Sequence, residues 1–225
     1  FLLGKLLPTT FSRVCTMGTA GIWKLIMMAW SFENNLAIPD FDAARRFTGG
    51  LSRLLKVGYV PNVVQLDYNS LYPAVILTWS IAPNHDISNV MLSLLNYILS
   101  EREKFKQLKA IANSNVKKAK KELELLKPNS KEWKVKKKEI NNWDNEKNAN
   151  DKKQLPLKII ANSFFGSFGA PNLFPWGDVT CAEKTTCVGR QSLRLMIKWF
   201  SDKGYSPIVG DSVTYDTPIY IKYPN

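Results

Sequence analysis

The chain has 225 residues, enough for one or two domains, and 45% of them are hydrophobic, which excludes an intrinsically disordered protein. A net charge of +12 points to a polyanionic partner, although a basic solvated surface accounts for the charge alone equally well. Three cysteines without a CxxC pair and one histidine, His85, argue against a disulfide framework, a zinc ribbon and a Ser-His-Asp triad.

A catalytic metal in this chain must therefore rely mainly on carboxylates, which suits Mg²⁺. The sparse cysteines favour a reducing compartment, so we expect a cytoplasmic protein, in the host cell cytoplasm if the source is viral. The apolar segment 22–30 is too short to span a membrane and contains a lysine, so no membrane partner is expected. Because the chain begins at Phe1 rather than Met, we expect an internal fragment of a longer protein.

The first 46 residues carry no catalytic pattern. Phe1–Leu7 is apolar and could be a strand or a helix end, whereas Thr19–Trp30 has the apolar periodicity of a helix. Asp40 and Asp42 could form a carboxylate pair, but solvated loop residues account for them better.

Residues 47–67 are predicted to lead the chain to a carboxylate at a strand end. The glycines of Phe47-Thr48-Gly49-Gly50 allow either close approach to a phosphate or a plain turn. Leu54–Tyr59 and Val63–Leu66 are predicted to form an antiparallel hairpin around Pro61–Asn62. Asp67 follows the second strand, where a metal could bind, and the next backbone amides could face an anion.

A long antiparallel helical hairpin is predicted next. Helical spacing begins near Ser88, Ser130 is the N-cap candidate of the second helix, and that helix reaches about Phe168 with a break around Asn148–Asn150. The lysine-rich stretch Lys117–Lys138 is interpreted as the solvated face of a protruding helix pair.

Cations are predicted to gather at the base of this hairpin. Arg102 and Lys106 lie four residues apart, on one helix face. Lys158, Asn162 and Phe165 form a single stripe on the second helix. Three cations around one site suit a triphosphate, because neutralising charge dominates phosphoryl transfer.

The last part of the chain is predicted to return to the sheet. A helix over Ala182–Phe200 precedes a strand at Tyr205–Val209, which ends in Gly210-Asp211, a second carboxylate at a strand end. We therefore expect an α+β fold that combines a partial antiparallel sheet with an antiparallel helical hairpin.

These motifs resemble those of family B (polymerase-alpha-type) DNA polymerases, of the phage kind. Asp67–Pro73 resembles the first palm motif, D-x-x-S-L-Y-P, and Lys158–Gly166 resembles the fingers motif, K-x-x-x-N-S-x-Y-G. Arg102 and Lys106 lie where the family has its other triphosphate-binding pair. Phe47-x-Gly49-Gly50 resembles the Y-x-G-G loop between exonuclease and palm.

The resemblance implies a domain order as well. The expected parts are the end of an exonuclease-side region (1–46), palm (47–87), a fingers helical hairpin (88–168), palm again (169–211) and the start of an intein (212–225). It also implies two Mg²⁺ ions as cofactors and primer–template DNA and dNTP as partners, with replication accessory proteins as further partners.

Roles for the metal and phosphate ligands follow from the resemblance. Asp67 would bind both ions, with the Tyr68 carbonyl on the nucleotide-bound one. The backbone amides of Ser70, Leu71 and Tyr72 would hold the β and γ phosphates, and the Tyr72 ring would lie under the sugar and exclude a 2′-hydroxyl.

Roles for the hairpin follow in the same way. Arg102, Lys106 and Lys158 would neutralise the triphosphate, with support from Asn162. Phe165 stands where the family has Tyr, so it keeps a stacking surface and loses a hydroxyl that could reach the minor groove through water. We therefore expect altered mismatch discrimination. Residues expected to contact DNA are Phe47, Gly49, Gly50 and Gly166.

The last motif departs from the family pattern Y-G-D-T-D-S. The sequence after Asp211 resembles the start of an intein, in which Ser212 is the splicing nucleophile. The alternative is a divergent palm loop in which Asp216 supplies the second carboxylate. A metal pair needs two carboxylates, and in this chain Asp67 is the one assigned under both alternatives, so we expect the isolated chain to be inactive as a polymerase.

A rival function belongs to another class of protein. A non-enzymatic, basic helical protein that binds nucleic acid would account for the net charge and the lysine-rich helices. It would not account for Asp67 at a strand end or for the stripe of Lys158, Asn162 and Phe165.

Overall fold

A computed structural model describes residues 9–68, 70–211 and 217–222. Its elements, in chain order, are α1 (Phe11–Thr16), α2 (Thr19–Glu33), β1 (Ser52–Leu54), β2 (Val63–Tyr68), α3 (Leu71–Thr78), α4 (Val90–Glu124), α5 (Lys131–Phe168), α6 (Val179–Asp202), β3 (Ser206–Asp211) and β4 (Thr217–Lys222). Across the described ranges, no helix combines the length and the apolar character that crossing a membrane requires. The predictions for Phe1–Leu7, Ser212 and Asp216 lie outside the described residues.

The four strands form one antiparallel sheet in the order β1-β3-β4-β2. The predicted hairpin between Leu54–Tyr59 and Val63–Leu66 is therefore wrong, because β3 and β4 lie between the two segments. The first segment is a strand only up to Leu54, and β1 is exposed along its length. The turn signal at Pro61–Asn62 marks a change of direction, but it carries no information about the partner that β2 then finds across the sheet.

Residues 217–222 continue the sheet beyond Asp211. Ile219 of β4 pairs with Gly210 of β3 on one side and with Leu66 of β2 on the other. Residues 217–222 therefore add a fourth strand to the sheet after the expected strand end at Asp211. Its alternating β-branched residues, Ile219 and Ile221, favour an extended backbone that can fill the gap between β2 and β3.

Helices α4 and α5 form the antiparallel hairpin, joined by residues 125–130. Near the turn Lys136 contacts Glu122 at 2.6 Å, and further down Lys109 contacts Asp151 at 2.7 Å. The Ser130 hydroxyl accepts a hydrogen bond from the Trp133 amide at 3.1 Å, which confirms the predicted N-cap.

The predicted break around Asn148–Asn150 is wrong, because α5 runs through it without interruption. Asn150 is buried against the rest of the protein, so its polar side chain indicates a packed position and not a loop. The residue that does perturb α5 is Pro156, which lies inside the helix and cannot donate to the carbonyl of Lys152.

The main core forms where α2 packs against the last turns of α5. Trp23 is fully buried, and its ring lies edge-on to Phe164 with centroids 4.6 Å apart. The indole Nε1–H lies 3.2 Å from both the Ile160 carbonyl oxygen and the Ser163 hydroxyl. The predicted helix Thr19–Trp30 is confirmed. Its packing against α5 supports the part of α5 that carries Lys158 and Asn162.

Cys181 lies in the first turn of α6, buried, with its sulfur 3.5 Å from an oxygen of Asp178. Burial, reinforced by the negative charge of Asp178, raises the pKa of the Cys181 thiol to about 12. The thiol is therefore protonated at neutral pH and is a poor nucleophile. Cys15, in contrast, is exposed.

We expect Trp23→Phe to keep most of the packing while removing the donor to Ile160 and Ser163. The free energy of unfolding should fall by about 1–3 kcal/mol, because a buried hydrogen bond is lost along with part of the ring volume. Chemical denaturation of the variant measures this. As a control, Trp199→Phe changes a half-exposed ring and should alter stability by less than about 0.5 kcal/mol. Equal effects for the two variants would contradict the supporting role of α2.

Alkylation should separate the cysteines. In the folded protein at pH 8, iodoacetamide should modify Cys15 and leave Cys181 unmodified, because the second thiol is both buried and protonated. In denaturant both should react. Peptide mass spectrometry gives the extent of modification at each site, and rapid labelling of Cys181 in the folded chain would show that the α6 turn opens readily.

Candidate functional site

Two aspartates lie at the same edge of the sheet. Leu66 and Gly210 both pair with Ile219, so the residues that follow them, Asp67 and Asp211, lie at one level on strands that run in the same direction. One strand, β4, separates them, which places their backbones roughly 10 Å apart. The Asp67 side chain is exposed, whereas the next residue, Tyr68, is half-buried and its burial raises the pKa of its phenol.

The residues at this edge fit a magnesium site that substrate completes. Within the described residues, no three His, Cys, Asp or Glu side chains cluster closely enough to form a metal cage by themselves. Mg²⁺ does not need such a cage, because it keeps several waters and often binds through one or two carboxylates plus substrate phosphates. The exposed carboxylate of Asp67 and the carbonyl of Tyr68 offer oxygen ligands of this kind.

The turn after β2 leads directly into the N-terminus of helix α3. Ser70 has a left-handed backbone (φ 59°, ψ 58°), and its side chain caps no amide of α3 among the described residues. Pro73, at the third helical position, has no N–H, so the first-turn donors of α3 are the amides of Leu71 and Tyr72. Helix N-termini of this kind attract anions.

Arg102 joins the hairpin to this turn. It is buried to 8% exposure on α4, and its Nη1–H donates to the Ser70 hydroxyl at 2.5 Å. Its Nε–H donates to the side-chain oxygen of Gln154 on α5 at 3.4 Å. Lys158 follows one helical turn after Gln154 and is partly exposed. The structure thus brings Arg102 and the α3 turn into contact, with Lys158 on the neighbouring helix.

Lys106 lies one turn beyond Arg102 on α4. Its side chain is 34% exposed and contacts Glu103 at 3.3 Å. This contact is between two partly exposed groups on one helix and is correspondingly weak. Arg102 and Lys106 lie on the same face of α4, as predicted. Their surroundings differ, because Arg102 is buried and Lys106 is at the surface.

Three aromatic rings lie in a row beside the turn. The ring of Phe165 is 4.5 Å from that of Tyr72, tilted by 37°, and 6.4 Å from that of Phe47, edge-on. Asn162, one turn before Phe165, is buried. Phe165, the last residue of the stripe predicted on α5, therefore lies between the start of α3 and the loop at Phe47, so aromatic residues from three separate motifs meet in one place.

Glycines next to this row differ in their roles. A Cβ added at Gly169 would approach the Phe47 ring to 3.3 Å, so the missing side chain makes room for Phe47. An added Cβ at Gly166 or Gly49 would meet no described atom within 4 Å. Contact with the Phe47 ring therefore explains why residue 169 has no side chain. No described atom accounts for the glycines at 49 and 166, so the space beside them is available to a partner molecule.

Helix α6 fixes the loop 47–50, which the sequence reasoning missed. The Thr186 hydroxyl donates to the Thr48 carbonyl at 2.8 Å. The Arg190 Nη1–H donates to the carbonyls of Thr48, at 2.8 Å, and Gly49, at 2.5 Å. The available signal was the four-residue spacing of Thr186 and Arg190, which places a hydroxyl and a guanidinium on one helix face.

Comparison with known proteins identifies the relatives of this chain. Residues 9–212 match the model of DNA polymerase family B. The DNA polymerase of Thermococcus gorgonarius is 25% identical over 93% of this chain and 27% of its own length, and that of Archaeoglobus fulgidus is 29% identical over 93% of the chain and 26% of its own length. A DNA polymerase of Acanthamoeba polyphaga mimivirus is 42% identical over 32% of the chain and 4% of its own length.

A solved structure agrees at the level of the fold. The family B DNA polymerase from Pyrobaculum calidifontis superposes with a TM-score of 0.54 at 15% identity, over 95% of this chain and 27% of that one. The chain thus spans about a quarter of the length of the archaeal relatives. Because the family match extends over nearly all of its residues, the chain belongs to family B of the DNA polymerases.

Proposed function

We propose that this chain supplies part of the palm and the fingers of a DNA-directed DNA polymerase, which transfers a nucleotidyl group from dNTP to a primer 3′-hydroxyl. The observation that carries the proposal is the contact between Arg102 and Ser70, because it joins a buried cation to the turn directly after Asp67. In this proposal residues 47–87 and 169–211 belong to the palm, and residues 88–168 are the fingers.

The triphosphate would bind at the start of α3. The amides of Ser70, Leu71 and Tyr72 would face the β and γ phosphates, where the helix N-terminus favours negative charge. Arg102, buried beside the turn, would act as a fixed cation. A third group of ligands would come from the two helices of the hairpin: Lys106, Lys158 and Asn162.

Two magnesium ions would be held by Asp67 and the Tyr68 carbonyl, with Asp211 on the neighbouring part of the sheet edge. When bound, such ions neutralise the charge that develops on the phosphates and lower the pKa of an attacking hydroxyl. The contribution of the chain itself is to orient the triphosphate against the sheet edge. We expect the isolated chain to be inactive, since the remainder of a polymerase would have to supply the other surfaces that hold DNA.

Primer–template DNA would lie across the face that carries Phe47, Gly49, Gly50 and Gly166. Thr186 and Arg190 hold the loop through hydrogen bonds to the carbonyls of Thr48 and Gly49, which supports a positioning role for the loop. The net charge of +12 supports contacts to a phosphate backbone. Accessory replication proteins as partners, and a cytoplasmic location, remain predictions. The rival function, non-enzymatic binding of nucleic acid, would require the positive charge. It would not require the contact between Arg102 and the turn at Ser70.

Replacing Asp67 tests the enzyme against this rival. In the full-length protein, Asp67→Ala should abolish template-directed dNTP incorporation while DNA affinity stays within about twofold, because an exposed carboxylate contributes to metal binding and little to folding. Primer extension and fluorescence anisotropy measure the two properties. Asp144→Ala, which removes a partly exposed carboxylate that pairs with Lys147 on α5, is the matched control and should leave both intact. Unchanged incorporation by Asp67→Ala would favour the rival.

Replacing Phe165 tests the contact with the newly formed base pair. Phe165→Tyr should keep the stacking on Tyr72 and restore a hydroxyl beside the minor groove, so the ratio of correct to mismatched incorporation should change by about 2- to 10-fold. Single-nucleotide kinetics measure that ratio. Phe105→Tyr, on α4 away from the aromatic row, serves as the control. Identical fidelity for the two Phe165 forms would exclude this role.

We further propose that Ser212 begins an intein, because the sequence after Asp211 resembles an intein start. Its hydroxyl would attack the Asp211 carbonyl carbon, the peptide C–N bond would break as the ester forms, and the proton would pass to the freed amine. The pairing of residues 217–222 with β2 and β3 supports the alternative, a palm loop with Asp216 as the second carboxylate.

Expression of the full-length gene separates these two readings. With an intein, peptides from residues 213–222 should be missing from the mature polymerase, and Ser212→Ala should leave an unspliced precursor of higher mass. Mass spectrometry of the purified product measures both. Detection of these peptides within the active polymerase would exclude splicing and leave the palm loop.

A further inference from the structure

Gly189 lies at the contact between α6 and the start of α3. It is buried, and a Cβ built on it would lie 3.2 Å from Cε1 of Tyr72 and 3.6 Å from Cδ2 of Leu71. The first distance is tighter than most real Cβ contacts, so any side chain at this position would press on the edge of the Tyr72 ring. In the present sequence that ring edge rests against bare helix backbone.

Phe165 confines the same ring from α5. The two ring centroids are 4.5 Å apart, and Tyr72 is only 9% exposed. Tyr72 is therefore held between a glycine of one helix and an aromatic ring of another. Its position depends on this packing, since a close-packed side chain cannot move without displacing its neighbours.

Backbone conformation does not explain this glycine. Gly189 lies within the regular helix α6, whereas the positive-φ glycines of the described chain are Gly58 and Gly204. Glycine in a helix interior is less favourable than alanine, so helix stability alone would favour a side chain here. The remaining reason for the lack of a side chain at position 189 is that the Tyr72 ring occupies the space it would need.

We propose that Gly189 is a specificity-determining residue: its missing side chain sets how far the Tyr72 ring reaches into the space for the sugar of the incoming nucleotide. The inference rests on the proposed function and on the role that the family resemblance implies for Tyr72, whose ring would lie under the sugar. Gly189 itself touches no substrate and acts through the ring.

The direction of the effect follows from the packing. A Cβ on Gly189 requires the Tyr72 ring to shift away from α6 by a few tenths of an ångström. The space for the nucleotide sugar beside the ring then narrows. This change hinders a ribose, with its 2′-hydroxyl, more than a deoxyribose. Gly189→Ala should therefore lower kcat/KM for dNTP modestly and raise the preference for dNTP over rNTP by about 3- to 10-fold.

A double-mutant cycle in the full-length protein tests the inference. The ratio of kcat/KM for dATP and ATP is measured for the wild type, Gly189→Ala, Tyr72→Ala and the double variant. Tyr72→Ala removes the ring, so adding Gly189→Ala to it should change the ratio by less than about 1.5-fold. Gly18→Ala is the matched control, because an added Cβ there meets no described atom within 4 Å.

Thermal unfolding of the same four proteins guards against a simple folding defect. If Gly189→Ala lowers Tm, it should do so less in the Tyr72→Ala background, where the clash is absent. An unchanged nucleotide ratio for Gly189→Ala, or an equal shift with and without the Tyr72 ring, would overturn the inference and leave the polymerase function standing. A wild-type protein that shows no template-directed incorporation would overturn the proposed function itself.

Discussion

The contact between Arg102 and Ser70 holds the candidate site together. Ser70 adopts a left-handed backbone, which is unfavourable for a residue with a Cβ, so the surrounding structure must stabilise it. The guanidinium of Arg102 does so from α4 and bonds at the same time to Gln154 on α5. One buried cation thereby fixes the end of β2, the start of α3 and the base of the hairpin relative to one another.

The base of α5 is held from two further directions. Trp23 on α2 packs against Phe164 and bonds to the Ile160 carbonyl, while Phe165 packs on Tyr72. Two consecutive residues of α5 thus face opposite sides: Phe164 packs on α2, and Phe165 packs on the candidate site. Because this segment follows Pro156, where the helix lacks a backbone hydrogen bond, tertiary contacts and not the helix alone determine its direction.

Helix α6 has a similar double role. It carries Thr186 and Arg190, which hold the carbonyls of Thr48 and Gly49, and Gly189, which makes room for Tyr72. The loop at Phe47 and the start of α3 are therefore aligned against one rigid helix. This arrangement explains how aromatic residues far apart in the chain come to lie in a single row.

Helical periodicity and motif spacing are sufficient to predict the main helices and to indicate the family. Helical periodicity predicted α2, α4, α5 and α6, since an amphipathic pattern is a local property of the chain, and the spacing around Asp67 and Lys158 indicated the family. Which segments meet depends on contacts between residues that are distant in the chain. The tertiary structure separated β1 from β2, kept α5 continuous through the buried Asn150, and placed residues 217–222 in the sheet. Strand partners, buried polar side chains and the empty space at Gly189 depend on contacts between distant residues, and no local pattern encodes them.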